Sequence, residues 1–305
     1  MKETTTMALT SSSSTAAGIL SVELEITGVC QLQCSHCCTE SGPKASAGTM
    51  TRDDWLRVIT DIAELGIPAV QMIGGEPTLS PYLPQYIDQA LDAGLKVEVY
   101  SNLTHVRPGL WNAFEKPGVC LATSYYSDRP EEHETITGGP GSYQRTRGNI
   151  VQALERGIPL RVGIVDVLED QRVAQAQAEL RELGVTRIQV DRVRKVGRAA
   201  EAAVTIPSTS ELCGRCFRQR VSVSPDGQVS GCILSRFLVA GNVREQRLAE
   251  ILGSDRWQQL SAAVPAPRAA CPPDDSGDCD PANTEACDPA YDFVPLPAPS
   301  LGVTA

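Results

Sequence analysis

Between Ile19 and Val196 short apolar runs alternate with longer stretches whose apolar residues return every three or four positions. That alternation marks strands interleaved with amphipathic helices. Strands are predicted over residues 20–27, 69–73, 96–101, 119–124, 160–165 and 187–190. Helices are predicted over 52–65, 81–93, 143–156 and 170–183, with a shorter one at 108–114. Gly66, Gly94, Gly157 and Gly184 each follow a predicted helix end, where a left-handed residue closes the last turn.

These strand and helix units fall short of the roughly 250 residues that a closed eight-fold barrel takes. The pattern therefore predicts an α/β fold, a partial (β/α)6 TIM-type barrel; a doubly wound open sheet satisfies the same alternation. Either architecture gathers ligands at the carboxyl ends of the strands. After Gly197 the pattern changes to a small Cys-rich α+β region, with a hairpin at 221–223 and 228–230 turned at Pro225-Asp226-Gly227, then a helix over 247–260. The expected organisation is a disordered lead-in over residues 1–18, a barrel over 19–200, the appended domain over 201–262 and a tail over 263–305. The tail is rich in Pro, Ala, Asp and Cys, and such a composition buries little apolar surface by itself.

The chain carries 27 basic and 37 acidic side chains, a formal charge of -10. So acidic a chain repels phosphate backbones, which argues against a nucleic-acid partner. Its densest basic stretch, residues 187–198 with Arg192, Arg194, Lys195 and Arg198, reads as a solvated strand end as readily as a functional patch. No apolar run reaches the roughly 18 residues that a membrane span needs. Residues 1–18 also lack the apolar core of a signal peptide, so a cytoplasmic location is expected. In that reducing compartment the clustered thiols among the eleven cysteines are expected to bind metal rather than to pair as disulfides.

The first strand runs into Cys30-Gln31-Leu32-Gln33-Cys34-Ser35-His36-Cys37, a C-x-x-x-C-x-x-C loop. Thiolates usually fill all four iron positions of a cubane cluster, so three leave one iron open to an outside ligand. This loop resembles the cluster motif of the radical S-adenosylmethionine (SAM) superfamily. The resemblance implies a [4Fe-4S] cluster on Cys30, Cys34 and Cys37, with SAM chelating the open iron and cleaved reductively to a 5'-deoxyadenosyl radical. It also implies an electron donor such as flavodoxin or ferredoxin. The alternative is a zinc knuckle closed by His36 or Cys38. Cys38 otherwise reads as a packing thiol, because adjacent side chains diverge. His36 stands where the superfamily often carries an aromatic residue packed near the adenine; a partly exposed loop histidine is the other reading.

The second strand ends in Gly74-Gly75-Glu76-Pro77, which resembles the G-G-E-P motif that holds the SAM amino group. Glycine allows close backbone approach, glutamate accepts from an ammonium, and proline fixes the turn. The resemblance extends to Ser101 and Asn102 against the ribose and carboxylate, to the apolar residues 162–167 beside adenine, and to Arg192 or Arg194 against the carboxylate. Asn102 also suits a turn, and both arginines suit the surface.

The segment from Ser124 through Tyr125, Tyr126, Ser127 and Asp128 to His133 and Gly138 resembles the fourth unit of radical SAM enzymes with a SPASM or twitch extension. Ser124 is expected to face the cofactor, and His133 either to pack in a helical segment or to meet substrate. Cys216, ten residues, Gly227, four residues and Cys232 match the opening of that extension, with Cys213 completing a C-x-x-C. Cys271, Cys279 and Cys287 add further thiols, and Asp280 and Asp288 read either as substitute ligands or as solvated acids. At least one auxiliary iron–sulfur cluster is implied; zinc is the alternative. Cys120 reads as a core thiol, or as a hydrogen donor of the kind that peptide epimerases of the superfamily use.

The expected function is radical maturation of a ribosomally made peptide by cross-linking, epimerisation or oxidation. The alternatives are a dehydrogenase or epimerase of a sugar or other small metabolite, and a non-catalytic metal scaffold or redox sensor. Since only residues 1–18 precede the first strand, a precursor peptide would be recognised by the barrel mouth, the tail or a separate leader-peptide-binding protein.

Overall fold

Each central strand turns alternate residues to opposite faces, and here the two faces differ in chemistry although both are covered. A computed structural model describes residue 16 and residues 18–266. Strands β1 (Ser21–Glu25), β2 (Ala69–Ile73), β3 (Lys96–Tyr100), β4 (Val119–Ser124), β5 (Leu160–Asp166) and β6 (Arg187–Arg192) pair in parallel, in sequence order. One face presents Val22, Leu24, Val70, Met72, Val97, Val99, Leu121 and Val162 to the core. The opposite face carries Glu23, Gln71, Glu98 and Arg161, all nearly inaccessible to solvent.

Helices α1 (Arg52–Glu64), α2 (Leu83–Asp92), α3 (Pro108–Phe114), α4 (Pro130–Thr137), α5 (Ser142–Glu155) and α6 (Val173–Glu182) fill the connections. Helix α1 shows why they form where they do. Thr51 and Asp54 make a reciprocal capping box at 3.2 and 3.0 Å, Trp55, Val58, Ile59 and Ile62 form its buried stripe, and Gly66 follows with φ +71°. Gly94, Gly157 and Gly184 close α2, α5 and α6 with the same left-handed geometry.

The Cys-rich segment does not form a sheet of its own. Strand β7 (Arg220–Val223) pairs in parallel with β1, and β8 (Gln228–Ser230) and β9 (Gly241–Asn242) continue the same sheet in antiparallel sense. The hairpin therefore extends the barrel wall past its first strand. Short helix α7 (Arg198–Ala202) follows β6. The helix predicted over 247–260 is two helices, α8 (Leu248–Leu252) and α9 (Asp255–Ala263). Gly253 ends the first, and the Ser254 hydroxyl accepts from Trp257 N at 3.2 Å to start the second. Among the described residues no helix is long and apolar enough to cross a membrane. The expected lead-in, apart from residues 16 and 18, and the tail beyond residue 266 lie outside the described residues.

Candidate active site

The loop after β1 is held from three sides. From the end of β2, Gly75 N donates to Thr27 O at 2.7 Å and Glu76 N to Val29 O at 2.8 Å. At the C-terminus of α4, Thr137 and Ile136 carbonyls accept from Gln33 N and Ser35 N, each at 3.0 Å. The third support is α7, where Arg198 N donates to Cys37 O at 3.1 Å. Helix α4 thus spends its unpaired terminal carbonyls on the loop backbone.

Gly75 has no room for a side chain, since a Cβ there would strike the carbonyls of Gly28 and Val29. Gly74 sits at φ +144° against the backbone of Ile26 and Thr27. Their contribution is close approach between the end of β2 and the loop.

Inside the barrel mouth lies a cavity of about 340 Å³, lined by Cys30, Cys34 and Cys37. Gly74, Gly75, Asn102, Ser124 and Arg194 share its wall, as do Gly163, Ile164 and Val165 from the stretch expected beside adenine. So do Cys213, Cys216 and Cys232, so both described cysteine sets open onto one space.

Burial pushes the thiols of Cys30 and Cys34 up to about 12. Cys37 adds to both shifts through its charge, and Cys30 adds to that of Cys34. Sulfurs that resist ionising together become stable thiolates around cations. The donor set therefore fits an iron–sulfur cluster. Among the described residues no three His, Cys, Asp or Glu side chains close around a single ion. A lone zinc would need four donors at about 2.3 Å or less, whereas a cubane spreads its thiolates over separate irons.

Asn102 supports the first ligand. Its Nδ2 donates to Cys30 Sγ at 3.6 Å while its Oδ1 accepts from Gln31 Nε2 at 3.0 Å. Behind it stands Glu76, fully buried, its charge felt by the thiol of Cys30. Glu76 Oε1 accepts from Ser101 Oγ (2.7 Å), Thr78 Oγ1 (2.7 Å) and Thr78 N (3.0 Å), and Oε2 accepts from Asn102 N (2.8 Å). The carboxylate that was expected to accept from the SAM amino group is thus held by protein donors, with Oε2 accepting from Asn102 N alone. Burial raises its carboxyl pKa against those hydrogen bonds. Ser101 and Pro77 lie in the same supporting layer, so Gly74 and Gly75 are what the motif shows to the cavity.

Other expectations shift for similar reasons. Cys120, read as a core thiol or a hydrogen donor, is fully buried, its thiol 3.8 Å from Glu98 Oε2, and does not line the cavity. Arg194 reaches the wall but is engaged by Asp191 at 3.1 Å and by the Glu211 carbonyl at 2.6 Å, and Arg192 pairs with Glu211 at 2.7 Å. His36 lies 3.3 Å from the Tyr126 hydroxyl, its ring edge-on to Tyr126 at 5.2 Å. Burial, helped by the charge of Arg198, lowers its pKa to about 4, so the imidazole is neutral. His133 packs among Tyr125, Tyr126 and Tyr143, with Nδ1 3.3 Å from Ser142 Oγ. Its Nε2 is buried without a hydrogen-bond partner.

Cys216 and Cys232 are joined as a disulfide, with Cα atoms 5.1 Å apart, where the sequence led us to expect two metal ligands. The β7–β8 hairpin brings the two sulfurs together, a requirement common to a disulfide and a shared cluster. Cys271, Cys279 and Cys287 lie outside the described residues. Sequence reading missed Tyr126 and Arg198 as parts of the loop's surroundings. For Arg198, the glycine before it, where the strand and helix alternation ends, was the available signal.

Comparison with known proteins agrees with this geometry. The profile of the radical SAM superfamily matches residues 24–175, and that of the SPASM iron–sulfur cluster-binding domain matches residues 213–280. An AdoMet-dependent heme synthase of Methanosarcina barkeri is 28% identical over 189 residues, 61% of this chain and 54% of the relative. A PqqA peptide cyclase of Bradyrhizobium diazoefficiens is 25% identical over 203 residues, 65% of this chain and 53% of the relative. The chain thus spans about half the length of the curated relatives it matches. Streptococcus suis SuiB bound to S-adenosylmethionine superposes with a TM-score of 0.65 at 16% identity, covering 81% of this chain and 67% of that one. SuiB has also been solved with its precursor peptide SuiA. That likeness is one of fold.

Proposed function

The chain belongs to the radical SAM superfamily and carries a SPASM-type iron–sulfur cluster-binding domain; from this we propose that it matures a ribosomally made peptide by an oxidative or epimerising radical reaction. The observation that carries the proposal is the opening of both cysteine sets onto one cavity. Similarity to a PqqA peptide cyclase and to the fold of SuiB supports a peptide as substrate.

Cys30, Cys34 and Cys37 would hold the cluster to which SAM binds. Cys213, Cys216 and Cys232, in their reduced form, would hold an auxiliary cluster with a ligand from Cys271, Cys279 or Cys287. When bound, the first cluster and SAM supply hydrogen-atom abstraction, chemistry that no side chain offers. The chain's own residues orient and shield. Gly74 and Gly75 let the ligand meet backbone, Gly163 to Val165 give an apolar wall, and Asn102 donates to the sulfur of Cys30. Neutral His36 and Tyr126 close the side nearest the loop without adding charge. A cytoplasmic location, electrons from a flavodoxin or ferredoxin, and a separate leader-peptide-binding protein complete the proposal.

The test is anaerobic incubation of the reconstituted chain with SAM, dithionite and a precursor peptide encoded beside it. The expected result is 5'-deoxyadenosine together with a peptide lighter by two hydrogens or carrying solvent deuterium. Cleavage of SAM with an unchanged peptide contradicts the peptide assignment. It would favour small-metabolite oxidation or epimerisation, a reading that similarity to a heme synthase supports.

A further inference from the structure

The junction of β6 and α7 is built against the cluster loop. Gly197 takes φ +56°, and a Cβ there would collide with the carbonyl oxygens of Cys37 and Cys38 at 2.5 and 2.6 Å. Only glycine permits that approach, and it seats the next residue on the loop. Arg198 donates from its backbone N to Cys37 O at 3.1 Å, from Nε to Cys34 O at 2.8 Å and from Nη2 to Ser41 O at 2.7 Å. One side chain therefore ties the second ligand to the far end of the loop with the rigid fork that only arginine has.

Its hydrogen bonds go to neutral carbonyls, so its charge stays uncompensated. Among the described residues no carboxylate pairs with Arg198, whereas Arg192 and Arg194 are paired with Glu211 and Asp191. Arg198 lines the same cavity as the loop cysteines. Its guanidinium is held against the loop backbone at Cys34, one of the residues that line that cavity. A fixed positive charge beside a cluster stabilises the state with one electron more, and neighbouring groups of this kind set cluster potentials.

We propose that Arg198 is a positioning residue, clasping the cluster loop and supplying the positive charge that favours the reduced state of the cluster on Cys30, Cys34 and Cys37. The assignment rests on the radical SAM reading. It separates two properties, geometry from the fork and potential from the charge, which different substitutions remove.

The full chain and its Arg198→Lys and Arg198→Gln variants are reconstituted anaerobically. Iron and sulfide content, iron loss to a chelator, and the midpoint of the electron paramagnetic resonance (EPR) signal that shifts on adding SAM are then measured. Both variants are expected to lose iron several-fold faster than the wild type. Arg198→Lys keeps the wild-type midpoint, whereas Arg198→Gln moves it negative by roughly tenfold in the reduction equilibrium, about 59 mV for one electron. A midpoint unchanged in Arg198→Gln, or moved equally in Arg198→Lys, overturns the assignment while leaving the family reading intact. A wild-type chain that takes up no loop cluster overturns both.

Discussion

Replacing Cys30, Cys34 and Cys37 together with alanine is expected to reduce 5'-deoxyadenosine formation to background while the fold and the auxiliary share of iron survive. The loop is held chiefly by backbone hydrogen bonds from β2, α4 and α7, with longer contacts of Leu32 N and Asn102 Nδ2 made to the sulfur of Cys30. Removing the thiols therefore removes the metal without unfolding the mouth of the barrel. Iron and sulfide analysis, far-UV circular dichroism and quantitation of 5'-deoxyadenosine read the three parts of the expectation separately. Undiminished cleavage of SAM in the triple variant would show that the chemistry is housed elsewhere.

The second large effect is on stability and comes from the polar face inside the barrel. Arg161 Nε and Nη2 donate to Glu98 Oε2 and Oε1 at 2.9 and 2.7 Å, and both residues are more than nine-tenths buried. Gln71 donates to the same carboxylate, and the guanidinium lies 5.2 Å over the Tyr100 ring. Arg161→Met is expected to cost about 3–5 kcal/mol, because it strands a carboxylate in a site without its cation. The double variant Arg161→Met with Glu98→Gln should recover much of that loss, since the lone charge is then gone as well. Urea unfolding of the two variants beside the wild type measures both numbers. A single variant within about 1 kcal/mol of the wild type would mean that water reaches the pair as freely as it reaches a surface bridge.

What the sequence disclosed and what it hid divide along the range of the contacts involved. The strand at 69–73 and the helix at 108–114 were legible to the residue, and the helix at 52–65 nearly so, because local periodicity and caps define them. The cluster loop was legible because its three thiols lie within one short segment. The inner face was not. Glu98 and Arg161 stand at alternating positions of strands β3 and β5, where a lone sequence places charges toward solvent. Only the curvature of the sheet brings them face to face. The same holds for Glu76, whose partners Ser101 and Asn102 arrive from the end of the next strand, and for β7, whose Arg220 pairs with Ser21 of β1 far away in the sequence. Arg198 read as one more charge in a basic stretch. Its role became visible once Gly197 was seen pressed against the carbonyls of Cys37 and Cys38.

The central claim is that three loop thiolates hold an iron–sulfur cluster with one iron open to an exogenous ligand. The most direct measurement is the EPR spectrum of the reduced, reconstituted chain before and after addition of SAM, set beside the Cys30/Cys34/Cys37 triple alanine variant. A cluster signal that changes shape on adding SAM, and is missing from the variant, is the predicted result. A signal indifferent to SAM, or a loop that binds stoichiometric zinc and no iron, would contradict it.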